Sequence, residues 1–450
     1  MRGLRSFLGL LAILIAMGAY LYFVESKRTP GADEEKKEKV FAVEAGVIDE
    51  ITIKAESGST TTLRKSGSEW QVVAPTAAPA DGAEISGLTM NLASLEQERV
   101  IDENPADVKE FGLAEPRVEV TFKSGGQEQK LLIGGKTPTG GDVYARTAAS
   151  PKVFLIASYL DATFNRSTFD LRDKTALKFE RDAADSMEIT TADRVLKFGK
   201  VDGDWQLTDP ATSRSDQAAI EGLLARIDGL QMKSVEPVDP EGLSRHGLDK
   251  PAASVTIGTG SGRATLLVGS PSEDGSVYAK DASRPEVFMI EAGLLDDLKR
   301  DAGEYRQKDL FDARAFNTTR VEIARAGQTT VYEKTTVKTP DGKEEQKWQR
   351  IAPSAGEVDG AALDSLLATI TGARAESFVE TAPAGGQTEL ALTLAFDGGK
   401  TERVTFAKSG SDAYAVREGT AGAARILPSI IDDIIKALPE PAAPAGGQAP

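Results

Sequence analysis

The sequence predicts an α+β protein: three tandem repeats of an antiparallel sheet with a packed helix, preceded by one N-terminal transmembrane helix. Three observations predict it. The three tryptophans, Trp70, Trp205 and Trp348, each open the same pattern, W-x4-P-x5-D-x3-[IL]. The runs before each Trp alternate with period two, whereas the runs after it have helical spacing. Residues 7–24, FLGLLAILIAMGAYLYFV, carry no charge over 18 positions, about the length that crosses a bilayer.

Taken in order, residues 1–6 form a short cytoplasmic head with Arg2 and Arg5, and residues 7–24 form the anchor. Tyr20, Tyr22 and Phe23 sit at its far end, where amphipathic rings suit the headgroup zone. A cleaved export signal is the competing reading, with Ala16 or Gly18 at the cleavage site. Apolar residues continuing past Gly18 favour the anchor. Lys27, Arg28, Lys36, Lys37 and Lys39 follow the span and argue against an outside orientation. The two-arginine head and the intervening acids Glu25, Asp33, Glu34, Glu35 and Glu38 argue for it. The expectation is an inner (cytoplasmic) membrane protein, single-pass, with its bulk periplasmic. Residues 25–45 read as a charged linker and 439–450 (PEPAAPAGGQAP) as a disordered tail.

Between these lie repeat 1 (46–180), repeat 2 (181–317) and a divergent repeat 3 (318–438). In each, alternating runs such as Ile51-Thr52-Ile53, Met187-Glu188-Ile189 and Val321-Glu322-Ile323 predict half-buried strands. A second strand carries the Trp, and Pro75, Pro210 or Pro353 ends it, because proline donates nothing to a ladder. Asp81, Asp216 and Asp359 are predicted helix N-caps, with Glu84 completing a capping box in the first copy. Helices follow on the apolar stripes Ile85-Leu88-Leu92, Ile220-Leu223-Leu224-Ile227 and Leu363-Leu366-Leu367-Ile370. Gly112-Leu113-x-x-Pro116 recurs as Gly247-Leu248-x-x-Pro251, at the same spacing of 135 that separates Trp70 from Trp205. Further strands are expected at 118–122, 131–134, 143–146 and 153–156, and at their counterparts in the second copy. Short helices at 159–164 and 294–299 end the first two units. The third copy lacks the Gly-Leu-x-x-Pro turn and inserts a polar arm at 335–346.

A net charge of −16 with no basic stripe argues against nucleic-acid binding. The absence of Cys excludes disulfides and thiolate chemistry, and a single His, His246, excludes a multi-His metal site or a His-based triad within one chain. Gly135-Lys136-Thr137 lacks the upstream Gly of a phosphate loop and reads as a strand-ending turn. Gly258, Gly260 and Gly262, and Asp202-Gly203-Asp204, read as hairpin turns. The pairs Asp296-Asp297 and Asp432-Asp433 read as solvated helix faces. The repeated Trp and the repeated Tyr144, Tyr278 and Tyr414 read as packing residues, since packing demands identity in every copy and a single active site does not. No catalytic, cofactor-binding or metal-binding residue is predicted, and no enzyme.

The Trp strand pair, the helix, the Gly-Leu-x-x-Pro turn and the Val-Tyr-Ala strand together resemble the domain-of-unknown-function family 4340 (DUF4340), in tandem copies over 47–438. The resemblance implies a membrane-anchored bacterial protein of the kind found beside ABC-type permeases and gliding-like auxiliary subunits. The expected function is a non-enzymatic, extracytoplasmic structural or interaction protein, an accessory of such a transport complex. Its expected partners are the membrane and an ABC permease. The alternative expectation is a glycan or cell-wall binding module.

Overall fold

A computed structural model describes residues 37–237, 242–338, 344–383 and 385–439. The expected head, anchor, first part of the linker and nearly all of the tail lie outside the described residues. Among the described residues no helix is long and apolar enough to cross a membrane. The chain divides into two compact units, Met1–Lys174 and Thr175–Pro450.

The first unit is one nine-stranded sheet. Its strands are β1 (Ile48–Lys54), β2 (Thr60–Ser66), β3 (Glu69–Ala74), β4 (Ala78–Pro79), β5 (Arg99–Asp102), β6 (Val118–Ser124), β7 (Gln127–Lys136), β8 (Asp142–Thr147) and β9 (Val153–Ala157). The spatial order is β4-β3-β2-β1-β6-β7-β8-β9-β5, and every pairing is antiparallel. Period-two alternation sends Ile51, Ile53, Leu63, Val120, Phe122, Leu131 and Ile133 to one face, where they are fully buried. The helix Gly82–Ala93 presents Ile85, Leu88 and Leu92 to the same core. Each such buried aliphatic contributes about 2 kcal/mol. Asp81 caps this helix as expected, accepting from the N–H of Ala83 and Glu84. Glu84 pairs instead with Arg166 at 3.2 Å, and the capping box lies at Ser167 and Asp170.

Residues 37–45, expected as the end of a solvated linker, are built into this unit. Lys39 forms an antiparallel backbone β-bridge with Glu96, the Val40 N–H donates to the Leu95 carbonyl at 2.8 Å, and the buried Phe41 meets Phe122 edge-on with ring centroids 5.0 Å apart. Charge count hid them: one aromatic anchor among two lysines and two glutamates outweighs a run that otherwise favours solvent.

The second unit carries two more nine-stranded sheets, over residues 186–291 and 318–426, with the same strand order and antiparallel neighbours. The three-repeat expectation therefore holds, in a chain that is mostly β, with a twelve-residue helix to each sheet and, on the third, a further ten-residue helix Pro428–Ala437. Here the twelve-residue helices are Gln217–Asp228 and Gly360–Thr371, capped by Asp216 and Asp359. The extra strands come from short edge pieces such as β4 and β5, too brief to show alternation. Each of the three repeated prolines follows a cis peptide bond.

Candidate functional site

The repeated aromatics have two distinct structural jobs. Trp205 and Trp348 are buried, and their indole N–H groups donate to Glu221 at 2.8 Å and Asp364 at 3.1 Å. Lys200 and Lys334 lie over the two rings, each 4.9 Å from the ring centre. Trp70 is only half-buried against the first core. The repeated tyrosines are half-buried on the sheet face away from the long helix. There the Gly-Leu-x-x-Pro turn folds back over the sheet: Leu113, Leu132 and Val153 form a small second cluster joined by Phe111 and Tyr144. Phe111 packs on Tyr144 with centroids 5.0 Å apart, and His246 takes the same place on Tyr278 at 3.9 Å. The single histidine is therefore a packing ring. Gly112 and Gly247 adopt φ of 68° and 67°, which an L side chain resists. A Cβ on Gly134 would stand 2.2 Å from the Phe111 carbonyl oxygen.

The sequence motifs resolve as turns. Gly135 and Lys136 end β7, and Thr137 bonds across to Asp142. Asp202 and Gly203, with φ of 54° and 92°, turn one strand into the next. Gly260 does the same at φ 64°. Asp432 and Asp433 are exposed, and Asp432 pairs with Lys408 at 2.7 Å. Asp297 departs from the expected solvated face: it is buried, paired with Arg226 and with Arg300, and its carbonyl accepts the Tyr305 hydroxyl at 2.6 Å. Burial pushes the Tyr305 phenol up to about 12. Among the described residues there is no group of three or more His, Cys, Asp or Glu arranged to hold a metal ion.

A dense polar arrangement lies in the second unit, where the second and third sheets meet. The connecting chain touches both through its backbone: Arg306 forms an antiparallel β-bridge with Ser215, and Asp309 with Arg374. Glu402 is buried under it, and its carboxylate accepts the backbone N–H of Asp312 at 3.0 Å and of Ala313 at 2.8 Å. Arg417 clamps Glu402 at 2.5 Å and Asp312 at 2.8 Å. Arg214 reaches Asp312 from the second sheet and donates to the Asp309 carbonyl at 2.5 Å. Burial, and then Arg417, lower the affinity of Arg214 for its proton. Sequence reading did not find this cluster. The available signal was a difference between copies: nine residues after the Trp stands Arg214 in the second copy and Pro79 in the first.

The third copy also differs at its surface. Its polar arm is a long hairpin of Gln328–Lys338 and Glu344–Ala352, paired from Val331–Ala352 out to Lys338–Glu344. Where the first two copies break register with the following strand at Gly134 and after Val268, the third runs an unbroken ladder with the strand Asp412–Arg417 through Ala407.

The family described as "Domain of unknown function (DUF4340)" matches residues 70–206 and 205–393. No curated protein matches the chain. Among solved structures, the chain is similar at 10% identity to a DNA polymerase sliding clamp from Pseudomonas aeruginosa, covering 86% of this chain and 93% of that one with a TM-score of 0.15. A liganded form of that clamp gives 9% identity over 86% and 93%, with a TM-score of 0.14. The clamp bound to griselimycin gives 8% over 87% and 93%, at 0.15. Scores this low establish no shared fold.

Proposed function

This chain belongs to the DUF4340 family, and from that premise we propose that it is a membrane-anchored, extracytoplasmic structural and interaction protein, an accessory of an ABC-type transport complex. The observation that carries this reading is the charge-free stretch of 18 residues at 7–24 ahead of three copies of one unit. Such a stretch holds the copies at a membrane surface. The residues repeated in all copies serve packing and capping, which suits a scaffold better than a reaction centre. The long hairpin peculiar to the third copy offers a polar docking element, since an isolated two-stranded ribbon gains stability from a partner. The transport assignment rests on the resemblance to membrane-anchored members of the family.

The test is a pull-down of full-length protein from native membranes in mild detergent, followed by mass spectrometry. A permease or ATPase subunit is expected with the full-length protein. It should be lost when residues 1–24 are replaced by a cleavable export signal. Recovery of cell-wall fragments and no membrane protein refutes the reading in favour of a glycan-binding module.

A further inference from the structure

Where the second and third sheets meet, a small cavity of about 40 Å³ is lined by Ser213, Arg214, Arg306, Arg417, Phe378 and Ala421, among others. We propose that this cavity is a binding site for a small carboxylate, held by Arg306 and the Ser213 hydroxyl. The inference is independent of the transport reading.

Charge is the first argument. Arg214, Arg306 and Arg417 bring three positive charges, and the acids that reach them, Asp312 and Glu402, bring two negative ones. The excess of one resides on Arg306, which has no carboxylate partner among the described residues. Asp309 also lines the cavity, but Arg314 at 2.7 Å and Arg374 at 3.1 Å more than balance it. Asp301, Glu304, Glu376 and Glu380 line the adjoining cleft but form no ion pair with Arg306, so its guanidinium is left to an anion that enters the cavity.

Unsatisfied donors are the second. The Ser213 side chain is buried, with 5% of the residue exposed, and its Oγ has no hydrogen-bond partner. The Arg306 Nε is likewise buried without an acceptor. Buried polar groups are nearly always paired, so two such atoms on one small cavity point to a missing acceptor. The guanidinium is fixed for the purpose. Its Cζ lies 4.0 Å over the Phe378 ring, and Nη2 donates to the Ala421 carbonyl at 3.3 Å. Burial, and secondarily Arg214, lower the proton affinity of Arg306. A bound anion offsets both by stabilising the charged guanidinium.

Size selects the ligand. One water needs about 10–15 Å³ of such space, so the cavity takes about three heavy atoms, the number in a carboxylate group. Guanidinium and carboxylate match in a planar fork. The cavity is also built once. The positions equivalent to Ser213 and Arg214 are Ala78 and Pro79 in the first copy, and the position equivalent to Arg417 is Asp281 in the second. A larger cleft of about 910 Å³ shares Arg306, Phe378 and Ala421 and follows the edge strand Ser377–Val379. It leaves room for a chain attached to the carboxylate.

The experiment is a thermal melt of the full-length protein in detergent micelles, read by tryptophan fluorescence, with sodium formate, acetate or methanesulfonate at matched ionic strength. Formate and acetate are expected to raise the midpoint by about 2–4 °C at saturating concentration, and the bulkier sulfonate to leave it unchanged. Arg306→Gln should abolish the rise. Should that variant fail to fold, Ser213→Ala is expected to weaken the response at least threefold. Equal responses to all three anions, or a formate response that survives whichever of these variants folds, overturn the proposal. A tetrapeptide with a free C-terminal carboxylate, compared with its amide, separates the two sources. Tighter binding of the free acid than of acetate assigns the site to a peptide end, and equal binding assigns it to a free small acid.

Discussion

Glu402→Gln is the most informative single change, because it alters charge without altering shape at the joint between the second and third sheets. The carboxylate is 2% exposed as a side chain, accepts two backbone N–H groups at 3.0 and 2.8 Å, and faces Arg417. Hydrogen bonds to a charged group contribute about 1.5–3 kcal/mol each. Removing one partner of a buried pair costs about 3–5 kcal/mol, because the remaining charge is stranded. Gln keeps one carbonyl oxygen for one of the two N–H groups, and Arg417 keeps Asp312 at 2.8 Å, so the expected loss is about 3 kcal/mol. The three tryptophans make the assay local, one to each copy. Single-Trp versions of the full-length protein, with the other two changed to Phe, are unfolded in urea at neutral pH. The Trp348 transition should fall by about 3 kcal/mol, while the Trp70 transition stays within about 0.5 kcal/mol. A loss below about 0.5 kcal/mol at Trp348, or an equal loss at Trp70, refutes the reasoning.

Tyr305 should make the second unit sensitive to alkali. Its phenol is raised from 10.0 to about 12 by burial, so the stability it supplies is complete below pH 10 and is lost as pH rises towards 12, by up to about 2–3 kcal/mol. Tyr305→Phe should remove that slope when urea midpoints of the two proteins are compared between pH 9 and 12. Gly134→Ala should cost the first unit about 2–3 kcal/mol, since its Cβ would stand 2.2 Å from a backbone oxygen that cannot swing aside. The reverse change Ala407→Gly, in the third copy where no turn presses on the strand, should cost less than about 1 kcal/mol by the same measurement. Asp216→Ala removes the acceptor bonded to the Ala219 N–H at 3.1 Å and should cost about 1 kcal/mol at the Trp205 transition.

The long helices and inner strands were legible because their signals are local. An Asp N-cap sits beside the apolar stripe it starts, and alternation is read within five or six residues. Asp81, Asp216 and Asp359 behave as their spacing implied. The short edge strand Arg99–Asp102 was not legible: it has no alternation of its own and exists because β9 offers it an edge. Phe41 was masked by the charges around it. The cluster at Glu402 was the least legible part. Asp312 and Glu402 are 90 residues apart and Arg214 and Asp312 are 98 apart, and nothing local distinguishes these charges from solvated ones. Its trace appears only when the copies are laid against each other.

That comparison also separates what every copy needs from what one copy was given. Where the Gly-Leu-x-x-Pro turn covers the sheet, the strand beneath it carries Leu132 or Leu267 followed two residues later by Gly134 or Gly269. The third copy has no such turn, and the same positions are Thr405 and Ala407. An uncovered Leu would face water, and a Gly with nothing pressing on it would only add backbone entropy to the unfolded state. The turn, the Leu and the Gly therefore form one device that is kept or lost together. The inner core follows the opposite rule. Leu363, Leu366, Leu367 and Ile370 in the third copy are as buried as Ile220, Leu223, Leu224 and Ile227 in the second. Divergence concentrates on the outer face, the long hairpin, the charged joint and the closing helix, ten residues long in the third copy and six in the others. The shared core specifies only how the unit folds, so the protein's particular interactions must be sought where the third copy departs from the other two.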